Sequence, residues 1–360
     1  MKYHIEEETN KFAYIQLYEQ LRRDIVQKIL LHGAKLPSKR LLAEETGTSV
    51  ITVEHAYSIL CEEGYIEARE RSGYYVIYRE SEFLSTSDSV FKAHIMPKRF
   101  SNIKYEFPFS VLSKTMRKVL SEYGENILVK SPNRGCPELK DAIASYLARS
   151  NGIVVDAEQV VIGSGAEYLY SLIVQLLGED RIFALENPSY EKIEQVYRAN
   201  GVSLDMLEMG YDGIKTSELE RTAATVLHIT PFHSFPSGIT ASVSKRQEYL
   251  RWAEKREAYL IEDNYDSELT VLKKNDDTVF SLAGNDTVIY LNTFSETIAP
   301  SMRIGYMVLP PGLMKEFQDR LGFYSCTVPV FEQYVLAELI NNGDFERHIH
   351  RVRRARRKAK

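Results

Sequence analysis

Three stretches of the 360-residue chain set glycine or polar side chains just after apolar, β-branched runs, where chemistry is often placed. The first, Gly163-Ser164-Gly165-Ala166-Glu167, runs straight into a helical pattern. A helix N-terminus offers free amides and a positive dipole end, which suit a phosphate group, although the same residues also suit a plain tight turn. The second, His228-Ile229-Thr230-Pro231-Phe232-His233-Ser234-Phe235-Pro236-Ser237-Gly238, holds two prolines and a glycine and reads equally as a rigid loop. The third, Glu262-Asp263-Asn264-Tyr265-Asp266, brings three carboxylates and a phenol together. A buried Asp263 there demands a cationic partner; a solvated acidic turn demands none. Cys61, Cys136 and Cys326 are far apart and lack metal-ligand spacing, so neither a disulfide framework nor a zinc site is expected, and they read as small core residues of a protein in a reducing, cytoplasmic setting.

Elements to carry these clusters follow from periodicity. Apolar runs at 160–162, 181–185, 225–229, 259–262, 287–291 and 304–309 alternate with helical stretches, the pattern of a largely parallel sheet covered on both faces. Ahead of them, Leu17, Leu21, Ile25 and Ile29 mark one stripe of a helix from Tyr14 to Leu31, ended by Gly33 and Pro37. A short helix begins at Ser38 and breaks at Thr46-Gly47-Thr48; the next carries Val53, Ala56, Tyr57 and Leu60 on one face. Strand-like runs at 65–68 and 74–78 flank a polar turn holding Arg69, Arg71, Ser72 and Gly73. Three helices and a hairpin make the order of a winged helix. Residues 80–102 are polar, serine-rich and aperiodic, a linker between a domain at 1–79 and another at 103–360.

With 44% hydrophobic and 26% charged residues the chain suits globular domains, and no apolar run reads as a signal peptide or membrane span. The net charge is −5, and residues 1–80 hold 11 Lys and Arg against 13 Asp and Glu, a balance of −2. The segment from Arg347 to Lys360 is strongly basic, either a helix with solvated faces or a patch for phosphates.

The run from Leu36 to Val76 resembles the GntR-type DNA-binding domain along its length. That resemblance implies double-stranded operator DNA as a partner: Ser38, Lys39 and Arg40 approach phosphates, the helix opening at Ser49 enters the major groove, and Arg71, Ser72 and Gly73 form the wing tip. Where the family opens that helix with a run such as Ser-Arg-Asn, this chain has Ser49-Val50-Ile51, which leaves base readout to Ser49, Thr52, His55 and contact with thymine methyls. The strand-end clusters, taken with Glu186-Asn187-Pro188-Ser189-Tyr190 and the run from Asn292 to Gly305, resemble a fold-type I aminotransferase domain. The two together resemble MocR-type bacterial transcription regulators, implying an α/β fold: a winged helix plus the large domain of pyridoxal-phosphate fold type I, with a mixed, mostly parallel seven-stranded sheet. By that resemblance Ser164, Gly165, Ala166, Thr293, Ser295 and Arg303 surround the phosphate of pyridoxal 5′-phosphate. Tyr190 stacks on its ring, Asp263 pairs with the pyridine nitrogen and Tyr265 with the phenolic oxygen.

Departures from the family shape the functional expectation. Glu296 stands where the family has the lysine that forms the Schiff base, and a carboxylate cannot make an imine. The cofactor is therefore expected to be held without a covalent bond or not at all. Lys130, where relatives often have a pocket tyrosine, is not expected to substitute, since its loop faces the opposite side of the cofactor. The segment from Ile103 to Phe109 is shorter than the family's, and the sequence stops at Lys360, where the family continues into a small domain bearing a carboxylate-binding arginine. The chain is accordingly expected to be a homodimeric regulator without catalytic residues whose second domain serves dimerisation and the sensing of an amino-acid or cofactor effector. A working aminotransferase and a degenerate regulator are the alternatives.

Overall fold

Leu17, Leu21 and Ile25 bury one stripe of α1 (Ala13–Val26) in the first of two compact units, residues 1–99 and 100–360, of the computed structural model. The structure describes residues 3–5, 12–70, 72–78, 107–269, 277–283 and 287–359. Helix α1 stops short of the expected Leu31, because Lys28 takes a left-handed φ of 60° and the next turn leaves Ile29 exposed. The apolar stripe of the sequence continues past the point where the backbone leaves the helix. Ser38 caps α2 (Lys39–Thr46) by accepting the Leu41 amide at 3.2 Å, and Gly47, at φ 66°, ends it in the left-handed region that glycine adopts without penalty. Ser49 likewise caps α3 (Val50–Glu62), whose Val53, Ala56, Tyr57 and Leu60 are buried as the spacing requires. The hairpin β1 (Ile66–Arg69) and β2 (Gly73–Val76) pairs antiparallel and closes the core with Ile66 and Val76. The expected linker, 80–102, lies outside the described residues.

The second unit is built on seven strands: β3 (Val160–Gly163), β4 (Ile182–Asn187), β5 (Ser203–Glu208), β6 (Val226–Ile229), β7 (Tyr259–Asp263), β8 (Val288–Thr293) and β9 (Gly305–Val308). Their order is β3-β9-β8-β7-β6-β4-β5, and only β9 runs against the rest. Six of them match the apolar runs of the sequence. The seventh, β5, is an edge strand with half-buried faces, so SLDMLE carries no continuous apolar run for periodicity to find.

Helices cover both faces: α4 (Phe109–Tyr123), α5 (Pro137–Asn151), α6 (Ala166–Leu177), α7 (Glu191–Ala199), α8 (Thr216–Arg221), α9 (Val243–Arg256), α10 (Val279–Leu282), α11 (Pro311–Leu321), α12 (Val330–Asn341) and α13 (Asp344–Ala359). Alternation along β8 shows how the layers divide. Tyr290 joins the core under α5, α12 and α13, while Ile289 and Leu291 join the core under α6 and α11. The basic C-terminal segment is α13, and it is not solvated all round: Ile349 and Val352 are buried, and Arg353 and Arg356 donate to the carbonyls of Glu268 and Leu269. Of the cysteines only Cys136 is fully buried; Cys61 and Cys326 are half-buried.

Candidate functional site

In the second unit the carboxyl ends of β4, β6, β7 and β8 and the N-termini of α6 and α7 surround a cleft of about 450 Å³, within the usual size of a small-molecule pocket. Seven of the nine residues expected around a cofactor line it: Ala166, Tyr190, Asp263, Tyr265, Thr293, Ser295 and Arg303. Gly165 lies just behind. Its φ is 89°, and a Cβ there would stand 3.1 Å from the Arg303 guanidinium, so the absence of a side chain lets Arg303 lie against the start of α6. Ser164 does not line the cleft, and its amide donates to Thr327 Oγ1 at 3.1 Å. Lys130 is exposed and does not line the cleft.

Asp263, the last residue of β7, is buried at the cleft base. Its hydrogen-bond donors within the chain are the Tyr170 hydroxyl and the Tyr265 amide, the latter at 3.2 Å. His228 Nε2 stands 3.6 Å from the same carboxylate and has no hydrogen-bond partner among the described residues, while its Nδ1 meets the Tyr197 hydroxyl at 2.7 Å. Burial and the neighbouring Asp263 drive the Tyr170 phenol well above its ordinary range, so it stays protonated and donating. The Tyr265 hydroxyl donates to the His233 carbonyl at 3.1 Å, and burial, then Asp266 and Asp263, raise its pKa. The other two acids of the cluster point away from the cleft: Glu262 accepts the amides of Val279 and Phe280, and Asp266 pairs with His233 and Arg356.

The β8–β9 loop turns on its own hydroxyls. Thr293 Oγ1 reaches Ser295 Oγ and the Ile304 carbonyl, each at 3.2 Å, and Ser295 Oγ donates to the Met302 carbonyl at 3.2 Å. Glu296 lies on this loop and lines the cleft, and no lysine occurs between residues 293 and 305. Arg303 pairs with Glu167, whose other oxygen accepts Lys192 Nζ at 2.9 Å. The sequence singles out neither Lys192 nor Tyr170, and Phe235 only as one member of the second cluster. Lys192 opens a helix with no motif of its own, and Tyr170 has the spacing of an ordinary buried helix residue.

In the first unit Arg40 and His55 are exposed, and His55 meets the ring of Tyr14 edge-on at 5.6 Å. Lys39 Nζ is held by Glu54 of α3 at 2.5 Å. Ser49 Oγ and Thr52 Oγ1 lie 2.9 Å apart at the start of α3, next to exposed Val50 and Ile51. Ser72 Oγ meets the Tyr75 hydroxyl at 2.8 Å, and Arg69 lies over the Tyr75 ring, 4.5 Å from its centroid. Gly73, at φ 111°, passes the Lys35 side chain, which adds a second cation beside the hairpin turn. Arg71 lies outside the described residues.

Two families match the chain: "Bacterial regulatory proteins, gntR family" over residues 13–76 and "Aminotransferase class I and II" over residues 104–360. It is 32% identical over 355 residues to the "Uncharacterized HTH-type transcriptional regulator YdeL" of Bacillus subtilis, covering 96% of this chain and 77% of that one. The chain belongs to the MocR-type HTH regulators. It is 29% identical over 364 residues to the "Probable rhizopine catabolism regulatory protein MocR" of Rhizobium meliloti, covering 94% of this chain and 74% of that protein. Among solved structures, the Pyrococcus horikoshii kynurenine aminotransferase aligns at a TM-score of 0.64 and 25% identity, over 69% of this chain and 64% of that enzyme. The chain thus spans about three quarters of the length of these two regulators and under two thirds of the enzyme. Its architecture is the winged helix with a mixed, mostly parallel aminotransferase-like sheet that the resemblance implied. Among the described residues no helix is long and apolar enough to cross a membrane, and no group of His, Cys, Asp and Glu could hold a metal ion.

The donor set can be tested against pyridoxal phosphate, the cofactor that this fold implies. Buried Asp263, Tyr265 and the Tyr190 ring suit a flat pyridine. Attachment and the phosphate end do not fit: the β8–β9 loop offers a carboxylate instead of an amine, and Arg303 is already paired with Glu167.

Proposed function

We propose that this MocR-type protein is a cytoplasmic, DNA-binding transcription regulator that acts as a homodimer, and that its aminotransferase-like unit senses a small ligand without turning it over. The observation that carries this reading is Glu296, on the cleft-lining loop of a chain that also carries a gntR-family domain. The chemistry of the winged-helix residues supports it in kind: Ser38, Lys39, Arg40, Ser72 and Gly73 offer contacts to phosphates, and Ser49, Thr52, His55 and the apolar Val50 and Ile51 offer contacts to base edges. A dimer follows from the paired half-sites that helix-turn-helix proteins read. With no imine-forming amine on the β8–β9 loop, we assign no catalytic residue, and the base of the cleft is left to bind and orient a ligand through Asp263, Tyr265 and Tyr190.

Gel retardation on the DNA upstream of the chain's own gene, with dimerisation checked by light scattering, tests the proposal. Retardation by a dimer is expected. No retardation at low salt by a folded dimer would overturn the regulatory reading.

A further inference from the structure

Among the described residues the cleft is lined by three carboxylates, Glu167, Asp263 and Glu296, against two cations, Lys192 and Arg303. Both cations are taken by one acid. Glu167 accepts Arg303 on one oxygen and Lys192 on the other, at 2.9 Å for the lysine, and it sits in the first turn of α6, where the helix dipole favours a negative group. The hydrogen bond from Lys192, then Arg303, holds its carboxyl below the usual range, so it is ionised at neutral pH. Gly165 lets the Arg303 guanidinium lie against the helix start, so the corner that could take a ligand's anion already holds the protein's own.

What remains open to a ligand is the opposite kind of surface. Asp263 is buried at the base, Glu296 lines the wall, and Tyr190 and Phe235 meet edge-on with ring centroids 6.0 Å apart. Carboxylates beside aromatic faces favour a flat body that carries a positive charge.

We propose that the cleft binds a phosphate-free, flat organic cation, its charged nitrogen paired with Asp263, and that Glu167 serves as an internal counter-ion that excludes phosphate esters from the Arg303 corner. The proposal names the ligand class of the sensing site and so rests on the non-catalytic reading above.

A matched pair of probes separates the claims: pyridoxamine, a pyridine bearing a protonated amine, and its 5′-phosphate ester, each titrated calorimetrically into the full-length chain. Pyridoxamine is expected to bind at least as tightly as the ester. Glu167→Gln should tighten the ester at least tenfold and leave pyridoxamine no tighter than before, because it frees both cations, which attract the phosphate and repel a cationic ligand. Asp263→Asn, with folding confirmed by circular dichroism, should weaken pyridoxamine at least tenfold. The proposal is overturned if the ester binds tenfold tighter to the native chain, if Glu167→Gln leaves the ester unchanged, or if pyridoxamine does not bind. DNA retardation is scored separately, so failure of the ligand class and failure of the regulatory reading give different results.

Discussion

Removing Arg40 from the winged helix should reduce DNA binding in a way that removing its neighbour Lys39 does not. Arg40 is exposed at the start of α2, whereas Lys39 Nζ is held by Glu54 at 2.5 Å and must leave that carboxylate before it can meet a phosphate. Each phosphate neutralised releases counterions, which adds about 0.9 to the slope of log K against log salt. In a dimer on two half-sites, Arg40→Ala removes two such contacts and flattens the slope by about 1.8. At about 0.15 M salt that slope corresponds to about a 30-fold loss of affinity, the same on every sequence. Lys39→Ala should change the slope by less than half as much, and Glu54→Gln, which frees Lys39, should steepen it. Fluorescence anisotropy on operator and random duplexes from about 50 to 300 mM salt, the range over which such slopes are read, covers all three. An unchanged slope for Arg40→Ala, or equal changes for the two basic residues, would refute the reasoning.

Thr52→Ala and His55→Ala should shift preference among sites more than affinity for random DNA, as competition between operator variants would show, because both side chains belong to α3 near its start. Ser49→Ala should cost about 1 kcal/mol by removing the cap of α3, measurable as a lower urea midpoint. Burial raises the carboxyls of Glu186, Glu262 and Glu268 from 4.5 to about 7, so the folded state binds protons that the unfolded chain releases. Stability should therefore fall as pH rises from about 5 to 7, by about 1.4 kcal/mol per pH unit for each proton taken up on folding, and level off above that window. Urea titrations at half a dozen pH values across and above that window check the sign.

Much of this was legible in the residues. Serine caps, Gly47 and the helical spacing of apolar residues marked α2 and α3 because local chemistry alone decides them. The central strands showed as apolar runs because both of their faces are buried. Edge strand β5, wet on part of its surface, left no such mark, and the end of α1 was set by a left-handed Lys28 that no pattern announces. In the cleft, the three strand-end clusters showed by position, Tyr190, Thr293, Ser295 and Arg303 only through the family resemblance, and partners across space not at all. The Tyr170 hydroxyl on Asp263, and Glu167 between Arg303 and Lys192, depend on how α6 and α7 lie over the sheet.

With Glu296 lining the cleft and no lysine on the β8–β9 loop, this regulator should hold no covalent cofactor. The most direct test incubates the native chain and Glu296→Lys with pyridoxal phosphate, records the visible spectrum, reduces with borohydride and maps the modified peptide by mass spectrometry. No stoichiometric adduct is expected in the native chain, and in Glu296→Lys a yellow species should reduce to one adduct at residue 296, still without transamination. A stoichiometric adduct in the native chain, for instance on Lys192, which lines the cleft, would contradict it.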